Sequence, residues 1–572
     1  MRREQRTFRI RAVAGVICLV AFLLIVRSYV VQIAHGEQYA AQAASQYIRT
    51  TSELYNRGSI FFSTRDGAAL SAAAIKSGYV LALDPSRITA PALVCDEIVK
   101  VVAVDPELCL LRATLPNRTY VEFSNDLNED AATTLVEKRL LGVSLHPNQW
   151  RFYPGSSVAA RSIGFVGYAG DGTDLRGKYG LERQYDDVLY REDKVRSVNF
   201  FAELFSDLGG YAINTKQHQS GDIVTTLEPS VSRMLDTVLQ EANDLYDSKL
   251  TGAIIMDPKT GEIIAMNAVP GFDLNDRGGA TIEQFRNPLV ENVYEFGSTI
   301  KALTMAAGLD SGAIVPSTTY YDSGELLLNT FIIRNFDGRA RGTVPMQEIL
   351  NQSLNTGVAW VVTQMGKDSF REYFLNFKLG SETGIDLPNE SHGLVDNLNS
   401  PRDVEYATAS FGQGIAVSPI AATRALAALG NGGTLVTPHI VKQINFVDGT
   451  EKKILYPDGA QVLSPETSEE ISRMLTAVVD DALRGGTVAL PNHSIAAKTG
   501  TAQIPDPVNG GYYEDKFLHS FFGYFPSYDP EFIIFLYTVE PKGVRYASET
   551  LTIPFMDLTK FLINYYSIPP DR

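Results

Sequence analysis

The chain has 572 residues, 45% of them hydrophobic and 20% charged, and a net charge of −16. That length exceeds one hydrophobic core and predicts two to four domains at about 150 residues each. The acidic balance, with no basic stripe interleaved with aromatics, excludes a nucleic-acid partner, because displacing phosphate counterions takes clustered Lys and Arg.

The first predicted element is a membrane anchor. Met1–Arg11 carries five arginines against Glu4 alone, and Ala12–Val26 contains no charged side chain. Arg27 and Ser28 interrupt, and Tyr29–Ile33 is apolar apart from Gln32. The run from Ala12 to Ile33 matches the roughly 20 residues a helix needs to span a bilayer. The arginine cluster predicts a cytoplasmic tail at 1–11, a transmembrane helix at 12–34 and everything later on the outer side. A cleaved signal peptide competes with this reading, but its Ala41–Ala43 site lies well beyond the apolar run, so an uncleaved single-pass anchor is favoured. Cys95 and Cys109 then fall outside the membrane, where either a disulfide or two buried thiols is open. The seven histidines are scattered and no segment has the spacing of a metal site.

Residues 35–245 read as a mixed α/β support. Gln38–Arg49 predicts a helix, Arg57–Ile60 a strand, and Asp66-Gly67 a tight turn. Short helical patterns with Pro and Asn breaks follow over 84–145, and Tyr179–Tyr185 comes after a Gly-rich loop. None of these suggests chemistry by itself. The texture changes at Thr251. Gly252–Asp257 and Glu262–Ala268 read as strands joined by a Pro258–Gly261 turn. Helical patterns dominate to about residue 490, and strands return at 494–503, 519–525 and 531–540. Strands at both ends with helices between predict an α+β domain at 246–572, an antiparallel sheet packed with helices.

Three motifs in this domain carry candidate chemistry. In Ser298-Thr299-Ile300-Lys301, Ser and Lys stand one helical turn apart. The serine is expected at a helix start, where free N–H groups favour developing negative charge. A serine hydroxyl needs a base within reach, and lysine serves only if burial keeps it neutral. Alone, the motif is more often an N-cap serine with a surface lysine. In Ser353-Leu354-Asn355, Leu354 is expected to anchor a loop from which Ser353 relays a proton and Asn355 binds an amide; alone it reads as a polar turn before a helix. In Lys498-Thr499-Gly500-Thr501, alternation puts Thr499 and Thr501 on one strand face, suited to a carboxylate, and Lys498 on the other, under Ser353. Gly500 inside a strand marks close approach by another backbone or a ligand. Taken alone, this fragment reads equally as a solvent-facing edge strand.

The three motifs in this order resemble the penicillin-binding, serine-reactive family. The wider chain resembles its class B transpeptidases, through Arg57-Gly58-Ser59-Ile60, Gly180-Leu181-Glu182 with Tyr185-Asp186, Met256-Asp257-Pro258, Thr383–Pro388, Ser410–Ile415 and Asn431-Gly432-Gly433. Three positions depart from the usual pattern: Phe296 for proline, Ala497 for glycine and Ala421 for glutamine. The resemblance implies a pedestal domain at 35–245 and a transpeptidase domain at 246–572. It implies a stem peptide ending in D-Ala-D-Ala as donor, Ser298 as nucleophile, Lys301 as base, Ser353 and Lys498 as proton relay, and Asn355, Thr499, Gly500 and Thr501 as substrate-binding residues. It implies no metal or organic cofactor, acylation by β-lactams, and a multispanning glycosyltransferase and division proteins as partners. The Ser410–Gly414 wording resembles the division-associated type, with the elongation type as alternative. A D,D-carboxypeptidase or β-lactamase-like hydrolase is the nearest rival, and a non-catalytic scaffold or sensor a more distant one.

Overall fold

The computed structural model describes residues 56–168, 175–191, 219–457 and 459–572, together with Phe22. The expected cytoplasmic tail, anchor and Gln38–Arg49 helix lie, Phe22 apart, outside the described residues. Among the described residues no helix is long and apolar enough to cross a membrane. The described chain clusters into two compact units, one holding 76–150 and the other 57–75, 151–191 and 219 onward.

In the first unit, helices Pro91–Val99, Pro106–Ala113 and Glu129–Glu137 pack with strand Val121–Leu127 around Leu81, Leu83, Ile98, Phe123 and Leu135. Pro91 and Pro106 each open a helix, where the missing N–H costs nothing. Asp105 caps the second of these helices through the Glu107 amide. Cys95 and Cys109 are both buried and joined as a disulfide between these two helices, with Cα atoms 5.8 Å apart. Of the two readings left open by the sequence, the bonded one is found.

The second unit is built on α1 (Pro229–Leu245), β1 (Leu250–Met256), β2 (Ile263–Val269), α2 (Lys301–Asp310), α3 (Asn355–Met365), β3 (Ala496–Pro505), β4 (Tyr512–Phe525), β5 (Phe532–Val539) and α4 (Thr552–Tyr566). The strands form one antiparallel sheet in the order β3-β4-β5-β1-β2. At the β1–β2 turn, the Asp257 carboxylate accepts from the Lys259 and Thr260 amides, and Gly261 takes a φ of +85°.

The sheet is covered on both faces, which is why its strands are nearly unbroken apolar runs. Ala253, Ile255, Phe521, Ile534 and Leu536 face α1 and α4; Ile254, Met256, Phe522, Ile533 and Phe535 face the helical layer that includes α2 and α3. α1 presents Val231, Leu235, Val238, Leu239 and Ala242 as one buried stripe, the helical period at work.

The stretch expected to be helical throughout also holds two small hairpins, Thr319–Asp322 with Gly342–Pro345 and Glu325–Leu328 with Phe331–Arg334. Strand patterns of four residues are too short to outweigh the helical periodicity around them. Asn329 and Thr330, both at positive φ, make the inner turn.

Segment 57–75 is woven into this second unit. Ile60–Ser63 pairs antiparallel with the residues after the Asp66-Gly67 turn and parallel with Gly221–Thr225, which pairs in turn with Val441–Phe446. Arg57 is buried with Nε 2.6 Å from Glu182 and Nη1 2.7 Å from Asp186, and Glu182 also receives Arg151 at 2.6 Å. Residues that the sequence left without a role thus form a buried ion cluster.

Candidate active site

The nucleophile candidate is set by a turn rather than a full helix. Gly297–Ile300 is a 3-10 turn leading into α2, so Ser298 sits one tight turn before the α-helix on which the sequence placed it. Gly297 has a φ of +63°, and a Cβ there would lie 2.6 Å from the Thr501 carbonyl oxygen. Glycine is required on both counts. Ser298 is half-buried and lines a cleft of about 730 Å³ with Ser353, Asn355, Lys498, Thr499 and Thr501.

Lys301 is fully buried one turn beyond Ser298. Its Nζ donates to the Ser353 carbonyl at 2.5 Å and lies 3.2 Å from Ser353 Oγ. These bonds run to Ser353, not to Ser298. Burial, with the Lys498 cation as a further cause, holds the Lys301 ammonium well below its ordinary range. Lys498 Nζ is also 3.2 Å from Ser353 Oγ and donates to the Thr499 carbonyl at 3.0 Å. Burial brings Lys498 down to about 8. Two lysines of lowered basicity therefore meet on one serine hydroxyl, an arrangement suited to passing a proton at neutral pH.

The Ser353 loop behaves as its residues predict. Leu354 is fully buried, Asn355 opens α3, and Ser353 is held at a φ of +55°, which a non-glycine residue adopts only under constraint. Asn355 Nδ2 donates to the Arg334 carbonyl at 2.9 Å, which leaves its amide oxygen for another partner.

β3 is the edge strand of the sheet and brings the third motif in. Along it Lys498 and Gly500 are buried while Thr499 and Thr501 are partly exposed, the expected alternation. A Cβ on Gly500 would meet the Phe296 carbonyl oxygen at 2.5 Å and the Thr299 amide nitrogen at 2.9 Å. The close approach read from a glycine inside a strand is thus the Ser298 turn lying on β3. Thr501 Oγ1 accepts from the Ala547 amide at 3.1 Å, leaving its hydroxyl proton to donate elsewhere.

The three departures are absorbed locally. Phe296 is buried edge-on to Phe535 at 4.8 Å between ring centroids. Ala497 faces Gly523 across β3 and β4, so its methyl meets no opposing side chain in the register. Ala421 is buried in the helix Pro419–Ala427. Other residues of the cleft were not legible as site residues: Arg334, Phe336, Arg484, Arg545 and Tyr546 come from three segments far apart in sequence, with no motif of their own. Gln413 also lines the cleft and had appeared only as part of the Ser410–Ile415 signature.

Residues 251–557, more than half of the chain, match the family described as penicillin binding protein transpeptidase domain, and residues 54–222 match the penicillin-binding protein dimerisation domain. The chain is 29% identical to stage V sporulation protein D of Bacillus subtilis over 94% of this chain and 82% of that protein. It is 26% identical to penicillin-binding protein PbpB of Mycobacterium tuberculosis over 92% and 80%. The crystal structure of penicillin binding protein 3 from M. tuberculosis superposes with a TM-score of 0.64 at 26% identity, over 74% of this chain and 92% of that one. Penicillin binding protein 2X of Streptococcus thermophilus shares the fold, with a TM-score of 0.70 at 22% identity over 90% and 81%. The chain belongs to the class B penicillin-binding proteins, serine-type peptidoglycan D,D-transpeptidases.

Proposed function

We propose that this chain is a single-pass membrane protein that cross-links stem peptides of the septal cell wall through an acyl-enzyme on Ser298, with a pedestal domain at 35–245 and a transpeptidase domain at 246–572. The observation that carries the reading is the Lys301–Ser353–Lys498 contact beside Ser298 in the cleft. Ser298 Oγ attacks the penultimate D-Ala carbonyl of the donor, and neutral Lys301 takes its proton. The amides of Ser298 and Thr501 bind the developing oxyanion, where losing one such donor costs about 3 kcal/mol of transition-state stabilisation. Ser353, fed by Lys498, hands a proton to the departing D-Ala. The free Asn355 amide oxygen accepts from the donor backbone N–H, and Thr499 and Thr501 donate to the terminal carboxylate. An amine from a second stem peptide then attacks the ester and releases Ser298. β-Lactams imitate the donor and stop at the ester.

The septal assignment rests on the Ser410-Phe411-Gly412-Gln413-Gly414 wording, and division proteins and a multispanning glycosyltransferase belong to it as partners. Intact-protein mass spectrometry after incubation with a penicillin tests the core of the reading. We expect one drug molecule per chain, absent from Ser298→Ala. A folded wild type without adduct sinks the catalytic assignment. Incorporation of an amine acceptor, weighed against simple D-Ala release, separates transferase from hydrolase. Filamentation on depletion, rather than loss of rod shape, supports the septal role.

A further inference from the structure

The cleft is charged against the grain of the molecule. The chain carries 66 acidic and 50 basic residues, yet no Asp or Glu is among the described residues lining the cleft, where Arg334, Arg484, Arg545 and Lys498 all stand. Three nearby carboxylates already have partners. Glu325 lies 3.4 Å from Arg334, Asp337 pairs with Arg341, and Glu549 accepts from the Tyr546 amide.

Arg484 and Arg545 differ from Arg334 in having no carboxylate in salt-bridge range among the described residues. Both are exposed, and both are held in place by their backbones. Arg484 sits at a φ of 49° in the turn before β3, and its Nε donates to the Ser548 carbonyl at 3.2 Å. The Arg545 carbonyl accepts from His519 Nε2 at 3.0 Å, and two residues on the Ala547 amide donates to Thr501 Oγ1. Segment 545–548 is therefore fastened to β3, to β4 and to Arg484. Both arginines line the same cleft as Thr499 and Thr501, already read as binding the donor's terminal carboxylate.

We propose that Arg484 and Arg545 are specificity-determining residues for a stem peptide bearing a second, free carboxylate besides the C-terminal one. The proposal rests on the transpeptidase reading above. One terminal carboxylate is served by two threonine hydroxyls and needs no arginine. Two guanidiniums with no carboxylate in salt-bridge range among the described residues, in a cleft not lined by acids, favour a further anion, and guanidinium matches carboxylate in a planar, two-bond geometry. A substrate whose internal carboxylate is amidated loses that match. The same chemistry can come from the donor stem or the acceptor stem, and the experiment separates them.

The test uses the full chain in detergent. In the donor arm, D-Ala release is measured with two D-Ala-D-Ala peptides that differ only in whether an internal carboxylate is free or an amide. In the acceptor arm, product formation is measured with an amine acceptor as free acid or amide. Wild type is expected to prefer the free acid in at least one arm by about tenfold, chiefly through KM, with each guanidinium contributing about threefold to fivefold. Arg484→Gly removes one guanidinium without strain, because glycine accepts positive φ. With Arg545→Gln added, the preference should fall to about twofold or less, whereas the double lysine variant retains part of it. Formation of a penicillin adduct at saturating dose identifies folded variants. Wild type that forms the adduct but does not distinguish acid from amide in either arm overturns this proposal and leaves the proposed function standing, and so does a labelled double variant that keeps the full preference. Wild type that forms no adduct overturns both.

Discussion

Ser353 is a single hydroxyl shared by two buried lysines, and the pH response follows from which of them holds its proton. Burial holds both lysines below their ordinary range, with the Lys498 cation as a further cause at Lys301. On the proposed roles, with Lys301 as base, the acid limb of penicillin acylation reports proton loss from Lys301. On the same proposal the alkaline limb reports Lys498, the proposed relay cation, which burial holds at about 8. A bell-shaped acylation rate with its descending limb near that value is expected from stopped-flow or quench measurements, and a rate still climbing well into the alkaline range removes the relay role. The same lysines make stability depend on pH. Both bind protons more weakly folded than unfolded, so the unfolded chain carries more protons between Lys498's folded value of about 8 and the unfolded lysine value of about 10.4. Unfolding free energy rises with pH across that window and is lowest on its acid side. Urea midpoints taken through the window check the sign, and Lys498→Met should flatten the slope.

At the scale of elements, the site is a matter of how closely β3 lies on the turn before α2. Gly500→Ala would drive a methyl into the Phe296 carbonyl and the Thr299 amide, pushing the strand off the nucleophile. A shift of about 1 Å at reacting groups costs on the order of 100-fold in rate, so that is the expected loss in penicillin acylation, with circular dichroism unchanged. A loss within about threefold would mean that the turn yields instead. The sequence made this contact legible because a glycine inside a strand weakens it, a cost that a close backbone approach makes necessary. It also revealed the five strands, since their apolar runs end at turn residues, and the alternation of Lys498 with Thr499. Other features were hidden for a physical reason. The 3-10 turn at Ser298 and the α-helix after it share one residue pattern over four positions. The cleft residues Arg334, Arg484 and Arg545 are brought together only by tertiary packing, which leaves no local periodicity. Arg57 and Glu182 stood in two of the quoted motifs, but their pairing, and Arg151 as its third member, were hidden likewise, because charges so far apart in sequence meet only by tertiary packing. Glu182→Gln leaves Arg151 Nε and Arg57 Nε facing a neutral amide at a buried site, with Asp186 still on Arg57 Nη1. Breaking such a buried pair costs about 3–5 kcal/mol, expected as a lowered urea midpoint. A change below about 1 kcal/mol would show that the arginines find other acceptors.

Over the whole molecule, the chain divides its stabilising devices between the two compact units. The unit that holds every cleft residue is large enough to bury both faces of a five-stranded sheet, and it closes on apolar packing and the Arg57 cluster. The 76–150 unit has a core of few residues, and a domain of that size buries proportionally less apolar surface. Its disulfide compensates. Cys95 and Cys109 are 14 residues apart, and closing a loop of that length in the unfolded chain is worth about 3 kcal/mol. Reduction, or the Cys95→Ala/Cys109→Ala double variant, should destabilise the 76–150 unit by about that amount, seen as faster amide exchange in its helices Pro91–Val99 and Pro106–Ala113. Penicillin acylation of Ser298 should keep its rate, because none of the residues that form the cleft belongs to that unit. If acylation falls together with the protection of those helices, the two units unfold as one cooperative body and the disulfide stabilises the catalytic cleft as well.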